Sequence, residues 1–176
     1  MEYFYKLDSL NNISKENDIK GIYLWGVVNG SKCIPLYVGR RIKIHERIFQ
    51  HLCRWRGGEY RIPAWDDIVN PNPVSIPFTK NPNLLYIPYG PLVYEDFLTN
   101  KDVQFTIQKV LDNFFCCWEF LPNYETSPEE EDAIATLINK DKLISTHRTS
   151  ATSETEFAKK FYKDFQGAST NYSIIE

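Results

Sequence analysis

The stretch from Gly21 to His51, GIYLWGVVNGSKCIPLYVGRRIKIHERIFQH, carries the strongest structural signals in the sequence. An apolar run leads to Asn29-Gly30, and a second extended run follows it and ends at Gly39. An Asn-Gly pair between two such runs is typical of a tight β-hairpin. We therefore predict two antiparallel strands, near residues 21–28 and 33–38.

A helix is predicted directly after this hairpin, near residues 43–53. Its apolar residues recur every four positions: Ile44, Ile48 and Leu52. Arg47 and His51 are also four residues apart, so they share one face of the helix. The predicted unit is a hairpin that carries Tyr23 and Tyr37, packed against a helix that presents Arg47 and His51.

The rest of the chain predicts one α/β domain over residues 1–176, with a small mixed or antiparallel sheet of three strands flanked by helices. Apolar periodicity indicates a helix over Asp102–Asp112, and the continuous apolar run Phe114–Leu121 indicates a buried strand. Ser127-Pro128 begins a helix near 128–139. Phenylalanines at every fourth position predict a terminal helix over 153–166.

Residues 54–91 differ in composition from the rest of the chain. Seven of the ten prolines lie there, interspersed with tryptophans, tyrosines and a phenylalanine. Prolines at this density oppose a long helix or a central strand, whereas the aromatic side chains oppose a flexible linker. We predict an ordered, irregular insertion, which either shapes a substrate site or covers a sheet edge.

The cysteine pattern favours reduced, buried thiols in a cytoplasmic protein over a disulfide framework or a zinc site. The four cysteines include no C-x-x-C pair, and Cys116 and Cys117 are adjacent. The sequence has no signal peptide and no apolar run long enough to span a membrane.

Basic charge is concentrated in one segment, although the whole chain has a net charge of -3. Residues 31–61 contain eight basic and two acidic residues, a net +6, and the remainder carries -9. Such a segment suits a phosphate-facing surface, with an ordinary solvated helix face as the alternative. Besides Arg47, the candidate nucleic-acid-binding residues are Arg40, Arg41, Lys43, Arg54, Arg56 and Arg61.

Three motifs in this order resemble the GIY-YIG nuclease family. They are GIY at Gly21–Tyr23, YVG at Tyr37–Gly39 in place of YIG, and the helical R-x-x-x-H at Arg47–His51. GIY alone is a weak signal, but the ordered set is far more specific. The resemblance implies a small α/β nuclease fold and phosphodiester hydrolysis of double-stranded DNA with Mg²⁺ or Mn²⁺.

The resemblance also implies roles for individual residues. Tyr23 is the candidate general base, whose high intrinsic pKa requires help from the neighbouring Arg47 and His51. Arg47 would stabilise charge in the transition state, and Tyr37 would hold phosphate or water. The family's metal-binding glutamate corresponds to Glu130.

Two alternatives stay open for the metal ligand. Glu130 has the family-like spacing to Ile134, yet it also completes a capping box with Ser127. Glu131 takes no part in the capping box, and its spacing to the buried residues Ile134 and Ile138 is almost as good. The preference for Glu130 is therefore narrow. The family's later asparagine is absent at Lys142 and Leu143; the candidate replacements are Ser145, Thr146 and His147.

A compact restriction-type endonuclease is the function that the resemblance favours, because the chain is short and shows no second DNA-binding domain. Specificity would then come from insertions, loops or a homodimer. A repair or mobile-element nuclease is the first alternative. The second is a nucleic-acid-binding module that kept the fold and lost catalysis.

Overall fold

The computed structural model describes residues 3–5, 20–70, 84–88, 93–121, 123, 125, 127–138 and 154–168. These residues form six strands and six helices, which are, in chain order, β1 (Tyr3–Tyr5), β2 (Gly21–Asn29), β3 (Lys32–Arg41), α1 (Ile44–Arg56), β4 (Ile62–Pro63), α2 (Trp65–Val69), β5 (Leu84–Tyr86), α3 (Val93–Thr99), α4 (Lys101–Asp112), β6 (Phe114–Phe120), α5 (Ser127–Ile138) and α6 (Glu156–Gly167).

The main sheet has the strand order β1-β6-β2-β3, and every neighbouring pair is antiparallel. The three predicted strands are therefore confirmed, and the sheet is antiparallel rather than mixed. β1 adds a fourth strand that the sequence analysis did not predict, since it placed no element before Lys20. β2 lies between β6 and β3 and is buried from Gly21 to Val28, as its apolar composition requires.

The hairpin of β2 and β3 closes through a two-residue turn, Gly30-Ser31, flanked by the pair Asn29 and Lys32. Gly30 has φ +59°, a left-handed conformation that favours glycine at this position. The pairing shifts between Trp25 and Gly26, where the ladder is irregular. From Trp25 back to Gly21 the register is regular, and this half of the hairpin carries the motif residues.

Two hydrophobic clusters cover the two faces of the main sheet. Tyr23, Trp25 and Val27 of β2 pack with apolar residues of α1 and α4. Ile22 and Leu24, which point the opposite way, pack with α5 and α6. Successive side chains of β2 thus point to opposite faces of the sheet. We call the face covered by α1 and α4 the α1 face, and the face covered by α5 and α6 the α5 face.

The predicted helices are observed with small differences in their ends. α1 continues to Arg56, beyond the predicted end near residue 53, and α6 begins at Glu156 with Thr155 as its N-cap. Of the predicted insertion 54–91, the structure describes residues 54–70 and 84–88, which contain the end of α1, the helix α2, and a second sheet of β4 and β5. Residues 71–83 and 89–91 lie outside the described residues, so the irregular character of the whole segment stays a prediction.

All four cysteines are free thiols, but they are not all buried. Cys116 and Cys117 are buried in β6, as predicted, whereas Cys53 is exposed on α1. The prediction of buried thiols is therefore wrong for Cys53, which lies outside the apolar stripe of its helix, and Cys33 in β3 is only partly buried. Among the described residues, no helix combines the length and apolar character needed to cross a membrane.

Candidate active site

Tyr23, Tyr37 and His51 form a compact cluster on the α1 face of the sheet. The Tyr23 hydroxyl and His51 Nε2 are 2.8 Å apart and hydrogen-bonded. The rings of Tyr23 and Tyr37 are nearly parallel, with centroids 6.0 Å apart. The Tyr37 and His51 ring centroids are 4.2 Å apart. The hairpin and the helix thus bring together three of the predicted catalytic side chains.

Gly39, the last residue of the YVG motif, makes room for this cluster. It lies directly opposite Tyr23 in the β2–β3 pairing. A Cβ atom on Gly39 would clash with the Tyr23 hydroxyl and would lie 2.8 Å from the Tyr37 ring. The Tyr23 side chain therefore crosses β3 over a position that has to be glycine.

His51 is neutral in this setting. It is 1% exposed, and its pKa is lowered to about 3, first by burial and then by the positive charges of Arg47 and Arg54. The sequence predicts that Arg47 and His51 together help Tyr23 to act as a base. A buried, uncharged imidazole adds no positive charge, so the help that His51 can give is through its hydrogen bonds.

Burial also keeps the Tyr23 phenol protonated. The side chain is 1% exposed, and burial together with the neighbouring Tyr37 raises its pKa far above the usual range, although Arg47 acts in the opposite direction. Burial lowers the pKa of Arg47, but its interactions with Tyr23 and Tyr37 outweigh this and raise it. Arg47 is therefore the cation that acts on both hydroxyls.

A basic pocket of about 390 Å³ adjoins the cluster at Arg47. Its lining residues come from the end of β3, the two residues that follow it and the first turns of α1: Arg41, Ile42, Lys43, Glu46, Arg47 and Gln50. Arg47 donates a hydrogen bond to Gln50 Oε1 at 3.1 Å, and Gln50 in turn donates to Glu46. The pocket therefore contains three of the predicted basic residues, with Arg47 located between it and the tyrosines.

The other predicted basic residues are placed differently. Arg40 Nε donates to Glu131 Oε2 at 3.0 Å, and Arg54 forms an ion pair of 3.3 Å with Glu59. Arg56 is exposed at the end of α1, and Arg61 is partly exposed. Arg40 and Arg54 are thus engaged with carboxylates, whereas Arg56 is an exposed cation at the end of the helix.

Glu130 and Glu131 have different surroundings on α5. Glu130 accepts a short hydrogen bond from the hydroxyl of Thr155, whose Oγ1 caps α6 by accepting from Ala158 N. Glu131 accepts from Arg40, and its carboxyl is mostly buried. Burial raises the pKa of Glu131 to about 7, although Arg40 opposes the shift. The geometry therefore gives Glu130 a structural role and leaves Glu131 as the better candidate ligand.

The two parts of the predicted site approach the sheet from opposite faces. The tyrosines and His51 lie on the α1 face, whereas Glu131 belongs to the helix on the α5 face and meets the sheet at Arg40, near the end of β3. In the part of the chain that the structure describes, no group of three or more histidine, cysteine, aspartate or glutamate side chains is arranged to hold a metal ion. Ser145, Thr146 and His147 lie outside the described residues.

Comparison with protein-family models, curated proteins and solved structures gave no match. Any proposal about the function of this protein therefore depends on the residues and geometry of this chain.

Tyr60 belongs to the cluster and was missed by the sequence analysis. Its hydroxyl forms a short hydrogen bond with His51 Nδ1, and its ring stacks on the imidazole with centroids 6.0 Å apart. The only sequence signal was Gly57-Gly58, which ends α1 and lets the chain turn back along the helix. The three motifs that carry the family resemblance do not include this position.

Proposed function

We propose that this protein is a divalent-metal-dependent endonuclease that hydrolyses phosphodiester bonds in double-stranded DNA, with a compact restriction-type enzyme as the favoured class. The observation that carries the proposal is the position of Arg47. Its guanidinium interacts with Tyr23 and Tyr37 and also lines the basic pocket. A phosphate held in that pocket would meet the planar donor group of Arg47, which links the pocket to the two tyrosines behind it.

The side chains of this site suit binding and orientation more than proton abstraction. Arg41 and Lys43 would hold the DNA backbone, and Arg47 would stabilise the charge that develops on the phosphoryl oxygens. Tyr23 stays protonated, so its hydroxyl would orient water or phosphate rather than act as a free phenolate. A hard divalent cation on the Glu131 carboxylate would have to replace the contact with Arg40 and reach the phosphate past the end of β3. It would then add Lewis-acid activation, and Mg²⁺ or Mn²⁺ suits an oxygen ligand of this kind.

A second candidate function is a nucleic-acid-binding module without catalysis. It is favoured by the burial of Tyr23 and His51, which are each 1% exposed and withdrawn from a substrate in solution. The basic pocket alone would serve such a module, because backbone binding requires only accessible cations.

Cleavage assays separate the two candidates. The substrates are supercoiled plasmid and amplified genomic DNA, which is free of protective modification and offers many possible recognition sequences. We expect wild-type protein to nick or cut with Mg²⁺ or Mn²⁺ and to be inactive in EDTA. Binding to DNA with no cleavage under any of these conditions would favour the binding module. Sequencing the cut ends would give the recognition sequence and the cleavage pattern.

A further inference from the structure

Tyr60 occupies the outer end of a hydrogen-bonded chain that runs from Tyr23 through His51. Its backbone follows the turn after α1, where Glu59 N donates to Arg54 O at 2.9 Å. The ring lies against Trp55, with centroids 6.1 Å apart, and stacks on His51. The Tyr60 hydroxyl is thereby held against Nδ1, while the Tyr23 hydroxyl is held against Nε2.

The hydrogen bonds from Tyr23 through His51 to Tyr60 must all run in one direction, because a neutral imidazole carries a single proton on its two nitrogens. Burial and two nearby arginines keep His51 uncharged, so one ring nitrogen carries a proton and the other is an acceptor. One of the two tyrosines must therefore donate to the ring, and the other must accept from it. Arg47 interacts with the Tyr23 hydroxyl and Arg54 with the Tyr60 hydroxyl, so the arginines affect the two ends similarly.

The difference in burial decides between the two directions. Tyr23 is 1% exposed, and within the described residues His51 Nε2 is the acceptor within hydrogen-bond distance of its hydroxyl. If Nε2 carried the proton, the Tyr23 proton would be left buried without an acceptor, which is costly. Tyr60 is only partly buried, so its own proton can be donated to solvent.

We propose that Tyr60 is a positioning residue that holds His51 in the Nδ1–H tautomer by accepting a hydrogen bond from Nδ1. The free Nε2 then accepts the Tyr23 proton and fixes the rotation of that hydroxyl. The oxygen lone pairs of Tyr23 are thereby directed toward Arg47, which interacts with this hydroxyl, and can accept a hydrogen bond from the guanidinium or from a water that it holds. This consequence for catalysis rests on the proposed nuclease function, whereas the tautomer does not.

Nitrogen NMR of the imidazole ring tests the tautomer without any need for activity. The protein has three histidines, and loss of one set of ring signals in His51→Gln assigns His51. We expect a protonated Nδ1 and an unprotonated Nε2 in the wild type at neutral pH. In Tyr60→Phe, which keeps the ring and loses the hydroxyl, we expect the Nε2–H tautomer to become populated. A protonated Nε2 in the wild type, or an unchanged tautomer in Tyr60→Phe, would overturn the proposal.

Kinetics test the consequence for the reaction, with Tyr86→Phe as the matched control. The Tyr86 hydroxyl donates to Gly58 O at 3.0 Å, so its loss removes one buried hydrogen bond in the neighbouring turn. We expect Tyr60→Phe to lower kcat about 10- to 100-fold with KM nearly unchanged, as is typical when a supporting residue is lost. Tyr86→Phe should keep its kcat. Equal kcat values in the wild type and Tyr60→Phe would contradict a positioning role.

The two proposals fail in different ways. A wild-type protein that shows the expected tautomer but cleaves no DNA would refute the nuclease function and the catalytic consequence. The Nδ1–H tautomer of His51 and its hydrogen bond to Tyr60 would still stand. A wild-type protein that cleaves DNA with a protonated Nε2 would refute the positioning role alone.

Discussion

Tyr23 and His51 are each 1% exposed, and this burial governs what the site can do at the level of single residues. A buried phenol and a buried neutral imidazole act through the direction of their hydrogen bonds, because ionising either one is costly. Arg47, which reaches the pocket, is the charged residue of this group. The motif residues could be predicted from the sequence, but their protonation states depend on burial, which spacing does not reveal.

Gly39→Ala tests the close approach of Tyr23 to β3. The added methyl group would overlap the Tyr23 hydroxyl, so we expect the free energy of unfolding to fall by about 1–3 kcal/mol, together with a loss of activity. Gly167→Ala is the matched control, since a Cβ at that position meets no atom within 4 Å. Its stability should be unchanged or higher, because alanine favours a helix over glycine. Equal urea midpoints for Gly39→Ala and the wild type would contradict the packing.

The buried His51 should make stability fall in acid. Its pKa of about 3 in the folded protein lies below the ordinary value of 6.5, so between these values the unfolded chain binds a proton that the folded chain does not. As the pH falls through this window, the free energy of unfolding should decrease by up to about 1.4 kcal/mol per pH unit. Urea unfolding from pH 7 to pH 4 measures this, and the component should be missing in His51→Gln. Parallel pH profiles for the two proteins would rule it out.

At the level of elements, the sequence predicted what depends on local periodicity. The hairpin, α1, α4, β6, α5 and α6 all follow from apolar spacing and turn residues. β1 could not be predicted in this way, because three residues show no period and their partner in the described sheet is the distant β6. β4 and β5 were missed for the same reason, since each gains its partner from the tertiary fold rather than from its own sequence.

The choice between Glu130 and Glu131 as metal ligand also depends on contacts that local sequence does not reveal. Both glutamates follow Ser127 within one turn of α5, and their spacing to Ile134 favoured Glu130 only narrowly. What separates them is α6, whose N-cap Thr155 binds Glu130, and β3, whose Arg40 binds Glu131. Both contacts join residues far apart in the chain, so no local pattern encodes them.

Matched glutamine substitutions on α5 test the metal ligand. We expect Glu131→Gln to abolish metal-dependent cleavage, because an amide oxygen without charge is a poor ligand for Mg²⁺. Glu130→Gln should keep its cleavage activity and lose about 1 kcal/mol of stability through the weakened contact with Thr155. Cleavage rates and urea unfolding of both variants provide the measurement. The reverse pattern would make Glu130 the ligand, and normal cleavage by both would place the metal elsewhere.

For the whole molecule, the distribution of charge matters more than its sum. The chain is acidic overall, with a net charge of -3, yet the segment from β3 to the end of α1 is strongly basic. α6 packs on the opposite face of the sheet and carries lysines of its own. The protein can therefore bind a polyanion through one surface although its net charge has the same sign.

DNA affinity should fall steeply as the salt concentration rises. Each phosphate contact contributes about 0.9 to the slope of log affinity against log salt, so Arg41→Gln should reduce the slope by about that amount. Lys163→Gln is the control, because Lys163 is exposed on α6, away from the basic pocket. Fluorescence anisotropy with a labelled duplex over a series of salt concentrations measures both. A slope that is equally changed by the two substitutions would contradict the proposed binding surface.

The central claim is that Arg47 belongs to a working nuclease site, and cleavage kinetics at saturating DNA test it most directly. With Mg²⁺, the account predicts that Arg47→Ala lowers kcat at least about 100-fold while its DNA affinity changes little, because its main interaction is with charge that develops in the transition state. Arg56→Ala, which removes an exposed cation nine residues further along α1, should raise KM and leave kcat unchanged. A wild-type protein that cleaves no DNA, or an Arg47→Ala variant with wild-type kcat, would contradict the account.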